Sequence, residues 1–440
     1  MKETKSNFLS RCIPFSKTVV IALLAILSII LTIQLWLVHI PSHSFFPYLE
    51  ARFAPTAPDG AADFVRPFRI VSSNGDGYFD ITYSGIASNP LWQYGEDAIE
   101  RLIDGGAFVA RTTIDMDMLF SQPAILYEYA FCMEPQVFAQ AFGVRTGASI
   151  ANVNMPNFRA IVIHPPIVAG GVLDAFFVCE GYTWHFTLSP TGRHVHEIFY
   201  GIDISSAAGM HRRFVLTAEH KYDAPFTFLP DFHEDFSYHP ILAINPYENA
   251  AGLLNLAFIR NRVAHFFDNP SNINAGLTGG IYTFGNLNAV VRYHPWDVVE
   301  YTSFRTIGST AASSFIDDFS AAIAFVYADV NIVNEVFLAG YESRGRENIF
   351  WFSYAIENFP LRIDAPWYSS STCNDPLLFP IEIVVDHGRV IRYRKVAFSF
   401  MVDTSITSRL DMHMLHGQER PFGFVIEPLA GRHLLLQVLE

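Results

Sequence analysis

The chain has 440 residues and a mass of 49.5 kDa, with 50% apolar and 16% charged residues. At about 150 residues per domain this supplies two or three packed cores and excludes global disorder. A net charge of −14 argues against a nucleic-acid-binding role, and four cysteines are too few for a disulfide scaffold.

Positions 1–17 form a basic head. Lys2, Lys5, Arg11 and Lys17 against Glu3 give +3, so the rest carries −14 − 3 = −17. Thr18 to Val38 follows without a single charged side chain. As a helix it would rise about 30 Å, the thickness of a bilayer core. It is too long for a signal-peptide apolar region and no small-residue cleavage site follows, so an uncleaved signal anchor is expected. The positive-inside rule keeps positions 1–17 in the cytoplasm and places the acidic body outside. Lys17 and Trp36 are the expected membrane-interface anchors. Thr18, Ala22, Ala25, Ser28 and Thr32 fall on one face of this helix, where small and hydroxyl side chains let a partner helix approach closely.

Residues 40–62, rich in Pro, Ala and Ser, read as a stalk. Beyond it, FRIVSS and YFDITYSG around Asn74-Gly75-Asp76-Gly77 signal a hairpin. Residues 91–104 have helical spacing closed by Gly105-Gly106, and 158–164 and 173–189 read as strands. Residues 241–260 and 310–333 suggest helices. Two hairpin-like units align at an offset of 100 residues: Ile281–Phe284 with Ala289–His294, and Ile381–Val385 with Arg389–Arg394. Arg292 matches Arg392 and Tyr293 matches Tyr393, which suggests two copies of one unit. The expected fold class is α+β, a single N-terminal transmembrane helix followed by a multi-domain extracytoplasmic region of mainly antiparallel sheets with packed helices. The expected divisions are the head 1–17, the membrane helix 18–39, the stalk 40–62, an N-terminal ectodomain 63–160, a central α+β domain 161–305 and a C-terminal α+β domain 306–440.

Signals for chemistry are weak. His194, His196 and Glu197 lie together, with His211, His220, His233-Glu234-Asp235 and His239 further along, but the first cluster borders a turn and no metal-ligand motif is present. They read as solvated surface side chains, and no metal or cofactor is expected. The sequence contains no nucleophile elbow, Walker A or dinucleotide fingerprint. Asp317-Asp318 and Asp231 with Asp235 are acidic pairs of a kind any acidic body offers. Cys132 and Cys179, in apolar strand-like runs, are expected to be buried small hydrophobes; Cys12 lies in the head and Cys373 in the body.

The layout resembles the YycH (WalH) family. The span carries Leu27-Ser28, Leu31-Thr32 and Leu35-Trp36 in the family's L-S-x-x-L-T-x-x-L-W pattern. Phe64–Val71 is similar to its first ectodomain strand. His265–Ser271, Tyr282 and Val291–Pro295 are similar to its mid-chain turn, hairpin and Y-x-x-P ending. Gly340-Tyr341, Phe352–Pro360 and Val390–Arg394 look like a C-terminal domain shared with YycI. Asn358-Phe359-Pro360 departs from the family's Gly-x-Pro, and the tail after Asp403 has no counterpart.

The resemblance implies a non-enzymatic, single-pass protein of the cell membrane. Its partners would be a WalK-type sensor histidine kinase, a YycI-like membrane protein and the lipid bilayer, with no nucleic acid. Its role would be to adjust a two-component system of cell-wall homeostasis. The alternatives are a membrane-anchored ligand-binding module or a metal-dependent hydrolase.

Overall fold

The computed structural model of the protein describes residues 65–82, 85–86, 89–143, 149–166, 171–179, 181–189, 214–216, 228–230, 237–249, 251–295, 297–304, 314–332, 334–356, 359–363, 377, 379–409, 422–426, 433–434 and 436–438. The expected membrane helix, its Thr18, Ala22, Ala25, Ser28 and Thr32 face, the anchors Lys17 and Trp36, and the stalk lie outside these residues. So do His194, His196, Glu197, His211, His220, His233, Glu234, Asp231, Asp235, Cys12 and Cys373. Among the described residues no helix is long and apolar enough to cross a membrane.

The first nine strands make one antiparallel sheet. They are β1 (Arg69–Ser73), β2 (Phe79–Thr82), β3 (Ala107–Thr113), β4 (Ala124–Met133), β5 (Phe158–His164), β6 (Leu173–Cys179), β7 (Tyr182–Leu188), β8 (Phe214–Leu216) and β9 (Phe228–Pro230). Their order is β3-β7-β6-β5-β4-β1-β2-β8-β9. The expected hairpin at 74–77 joins β1 to β2, with Ser73 opposite Phe79. Residue 160, the expected end of an N-terminal ectodomain, lies inside β5, which pairs with β4 on one side and β6 on the other.

Helix α1 (Pro90–Gly105) packs on this sheet. Asn89 caps it by accepting from Leu91 N at 2.8 Å, Pro90 takes the first helical position, and Gly106 N donates to Leu102 O at 2.8 Å. Its buried face is Trp92, Tyr94, Gly95, Ala98, Ile99, Leu102 and Ile103, at the spacing a one-sided helix requires. Three short helices follow, α2 (Met116–Phe120), α3 (Pro135–Ala141) and α4 (Ser149–Asn152).

Strands β10 (Ser237–Tyr238) and β11 (Ile241–Ile244) lead into α5 (Leu256–Val263). The expected helix over 241–260 is therefore a strand, a turn and a shorter helix. Pro240 and Pro246 bracket an apolar run too short to be helical, and Gly252 at φ 70° turns the chain before Asn255 caps α5. Asp268–Ser271 groups apart from the rest; within it Ser271 N donates to Asn269 Oδ1 at 3.1 Å.

The second large sheet has eleven strands. In chain order its first eight are β12 (Asn274–Thr278), β13 (Ile281–Gly285), β14 (Ala289–His294), β15 (Val298–Ser303), β16 (Val336–Arg344), β17 (Glu347–Ile356), β18 (Phe359–Ile363) and β19 (Ile381–Asp386). Then come β20 (Arg389–Val396), β21 (Ser399–Val402), β22 (Ser408–Arg409), β23 (Phe422–Ile426), β24 (His433–Leu434) and β25 (Leu436–Val438). The sheet runs β12-β13-β14-β15-β20-β19-β17-β18-β23-β25, with β16 paired to β17; all its pairs are antiparallel except β18 with β23. β21, β11 and β24 form a small separate sheet, and β10 pairs with β22.

Helix α6 (Phe315–Ala328) lies against β17, β19 and β20. Ser314 and Asp317 close a capping box at its start. Mainly antiparallel sheets with a few packed helices thus make an α+β architecture.

The two aligned units are both hairpins, and they occupy one sheet because β15 pairs with β14 on one edge and β20 on the other. Near the tips the offset of 100 holds: Gly285 faces Val290 and Val385 faces Val390. Beyond them the registers part. Phe284 faces Val291, but an irregularity between Val384 and Val385 leaves Val384 facing Arg392. Tyr293 and Tyr393 nevertheless both point into the core, fully buried.

Cys179 is buried as expected. Cys132 is exposed, because the β4–β5 register breaks between Glu128 and Met133 and that end of β4 loses cover on one face.

Candidate functional site

The most concentrated set of ionisable side chains among the described residues lies beneath the second sheet. Lys395 and Tyr393 alternate along β20 and so reach the same buried face. Both meet Asp329, which follows the C-terminus of α6. Lys395 Nζ is 2.7 Å from Asp329 Oδ2, and Tyr393 OH donates to the same oxygen at 2.8 Å. Asp329 Oδ1 accepts from Asn331 N and Asn331 Nδ2, both at 3.0 Å. His265 Nε2 lies 3.2 Å from Oδ1 without the alignment of a directed hydrogen bond, so this contact is electrostatic. The side chains of Asp329 and Lys395 are 0% and 1% exposed.

Burial opposes charge on Asp329. Lys395 and then His265 overcome that cost and hold its carboxyl well below the usual carboxylate range. Burial lowers Lys395, with Asp329 pulling in the opposite direction. The tyrosines respond to burial first and to Asp329 next, so Tyr247, Tyr354 and Tyr393 are all raised and stay protonated donors.

A second tyrosine–aspartate contact lies under the first hairpin. Tyr293 OH donates to Asp297 Oδ1, and Asn245 Nδ2 donates to Tyr293 OH at 2.7 Å and to Asp297 Oδ1 at 2.8 Å. Tyr247 joins the two centres: its N–H donates to Asn245 Oδ1 at 2.9 Å, its ring is 5.2 Å from that of Tyr293, and Asn331 Nδ2 donates to its hydroxyl at 3.2 Å. The tyrosine shared by the two hairpins therefore does the same thing twice.

The remaining buried charges are also paired. A row crosses the second sheet as Arg292, Glu300, Arg394, Glu382 and Trp351 on successive strands. Arg394 Nη2 reaches Glu382 Oε1 at 2.7 Å, Trp351 Nε1 donates to Glu382 Oε2 at 3.1 Å, and His294 Nε2 lies 3.1 Å from Glu300 Oε2. In the first sheet Arg69 faces Glu128 and contacts it at 2.5 Å, the two side chains 3% and 0% exposed.

Of the acidic pairs, Asp317 serves the capping box, and Asp318 is buried with Oδ1 accepting from Gly388 N and Oδ2 from Asn348 Nδ2, both at 2.5 Å. His239 Nδ1 sits 2.8 Å from Ile406 O. Among the described residues no three His, Cys, Asp or Glu side chains converge as metal ligands. The Asp329 centre was not visible in sequence. Its one signal is the pattern Tyr393-Arg394-Lys395, where strand alternation puts a lysine on the tyrosine's buried side. Chemically, the arrangement fixes β20 to the end of α6 by charge rather than presenting a reactive group to solvent.

No protein family matches the chain by sequence, and no curated protein matches it. A solved structure described as the crystal structure of YycH from Bacillus subtilis is similar at 10% identity, over 86% of this chain and 94% of that one, with a TM-score of 0.49. At that level no residue's role passes from one chain to the other.

Proposed function

We propose that the protein is a non-enzymatic, membrane-anchored regulator of a WalK-type sensor histidine kinase. The observation that carries this reading is in the sequence: an uncharged Thr18–Val38 stretch directly behind a +3 head, followed by the YycH-like motifs in order up to Arg394. The body suits such a role. Its strongest charged groups are committed to one another inside two large sheets, which makes a rigid scaffold for contacts with other proteins.

In this reading the face Thr18, Ala22, Ala25, Ser28 and Thr32 meets the kinase helix or a YycI-like helix. Crosslinking followed by affinity capture of the full chain from membranes tests it. Recovery of a sensor histidine kinase, weakened by Ala25→Leu with Ser28→Leu but not by Leu24→Ala with Leu31→Ala, supports the proposal. Capture without any kinase, or equal effects of the two variant pairs, counts against it.

A further inference from the structure

The free edges of the two large sheets are treated differently. β3 carries an irregularity between Phe108 and Ala110 and an exposed Arg111. β9 is three residues long and ends in Pro230. β16 has a break between Leu338 and Gly340 and ends in Glu342-Ser343-Arg344. β25 is three residues long. Each has a feature that discourages an added strand: a bulge, a charge, a proline or shortness. β12 has none. Its five residues, Asn274-Ala275-Gly276-Leu277-Thr278, are uncharged, regularly paired to β13 and all exposed.

The hairpin defines which backbone groups are open. Gly279 and Gly280, at φ 59° and 81°, form a two-residue turn between Thr278 and Ile281. In such a hairpin the residues flanking the turn exchange hydrogen bonds, so Thr278, Gly276 and Asn274 bond inward to β13. The N–H and C=O of Ala275 and Leu277 therefore point away from the sheet. A methyl group at Gly276 would meet nothing within 4 Å, so the edge is clear above its centre as well.

The surroundings specify the charge of what would fit. Helix α5 packs against β12 and β13, and carries a half-buried Arg260 and an exposed Arg262. Arg292 lies two strands in, on the row Gly276–Thr283–Arg292, its side chain 39% exposed. From Asn249 to Pro295 the chain has three arginines and one acid, Asp268, a local balance of +2 in a body of −17. A second copy brings the same arginines to the contact and a strongly acidic body behind them, so it is disfavoured.

We propose that β12 is a docking edge for an extended acidic segment of another protein, added to the second sheet as a twelfth strand. Main-chain bonds to Ala275 and Leu277 give the affinity, and Arg260, Arg262 and Arg292 select acidic side chains. This holds whichever protein supplies the strand, and does not rest on the kinase reading.

The test uses the full chain in detergent and a synthetic peptide of about seven residues alternating Val and Glu, with the same peptide carrying Lys for Glu as comparison. The acidic peptide should bind, the Lys peptide at least about tenfold more weakly. Amide hydrogen exchange should slow at Ala275 and Leu277. Ala275→Pro removes one outward donor and leaves the inner bonds to β13 intact, and should abolish binding. Leu277→Lys places a charge on the edge and should do the same if the proline variant fails to fold. Arg260→Glu with Arg262→Glu should invert the preference between the peptides. Equal binding of both peptides, unchanged exchange at the two amides, or self-association of the chain that Ala275→Pro abolishes would each overturn the proposal.

Discussion

Lys395 and Asp329 form an ion pair at 2.7 Å with both side chains sealed from solvent, in a chain that contains only five lysines. Three of those five, Lys2, Lys5 and Lys17, lie in the basic head, so a lysine inside the body's core is there for its position. The pair ties the middle of the second sheet to the end of α6, and Tyr393, Asn331 and His265 complete the shell around the carboxylate.

Breaking this pair from one side should be costly. Lys395→Met leaves a buried carboxylate without its main counter-charge and should lower unfolding free energy by about 3–5 kcal/mol. The double variant Lys395→Met with Asp329→Asn should lose much less than the sum of the two single losses. A double-mutant cycle by denaturant titration decides it; additive losses, or a single loss below about 1 kcal/mol, would mean the pair is not coupled.

The repeated tyrosines give an ordered expectation. Tyr393→Phe removes a bond to a fully buried carboxylate, whereas Tyr293→Phe removes one to Asp297, which is half-buried and keeps Asn245 as a donor. Hydrogen bonds to charged groups contribute about 1.5–3 kcal/mol, and the Tyr393 variant should sit at the upper end and the Tyr293 variant at or below the lower. The reverse order of the two denaturation midpoints would refute this reading of the centres.

Much of the fold was legible locally, and the centre was not, for one reason. Helix α1 announces itself through Asn89-Pro90, its apolar spacing and Gly105-Gly106, all between positions 89 and 106. The hairpins at 281–294 and 381–394 are equally local. Asp329 and Tyr393 are 64 positions apart, and nothing near either names the other. Arg392-Tyr393-Arg394-Lys395 reads as an exposed cationic strand until β15 and β19 cover both its edges. The register change at Val384/Val385 is likewise invisible in two hairpins whose sequences align without a gap.

Stability should depend on pH through His164. Gln122 Nε2 lies 2.5 Å from its Nδ1, and its Nε2 lies 2.8 Å from Leu119 O, an arrangement that fits the neutral ring with the proton on Nε2. Burial lowers its affinity for a proton, His185 lowers it further, and the Leu119 carbonyl and Asp174 act in the opposite sense. A histidine with a depressed folded pKa binds its proton more readily when unfolded, so stability falls as pH drops below the unfolded value of about 6.5. Asp329 has the opposite history but the same sign: its contribution is complete above about pH 4 and is lost only as pH falls further. Denaturant midpoints from pH 7.5 to 5 should therefore decline in the native chain and decline less in His164→Gln. Parallel profiles would remove His164 as the source.

The last expectation concerns a glycine chosen for space. Gly95 lies on the buried face of α1, directly over the ring of Tyr127 from β4, whose hydroxyl donates to Leu91 O at 2.7 Å one turn earlier. A methyl group at 95 would overlap the ring carbons and the hydroxyl oxygen of Tyr127. In an exposed helix Gly→Ala gains stability, by up to about 1 kcal/mol. Here the gain is outweighed, because Tyr127 is itself fully buried and has nowhere to retreat. Relieving the overlap means moving α1 off the sheet or breaking the bond to Leu91, and overpacking of this kind costs about 1–3 kcal/mol. Gly95→Ala should thus destabilise the protein by thermal and denaturant unfolding. Gly95→Ala with Tyr127→Leu, which removes the obstructing ring, should lose less than the two single variants added together. If Gly95→Ala is neutral or stabilising, α1 does not rest on Tyr127 as described.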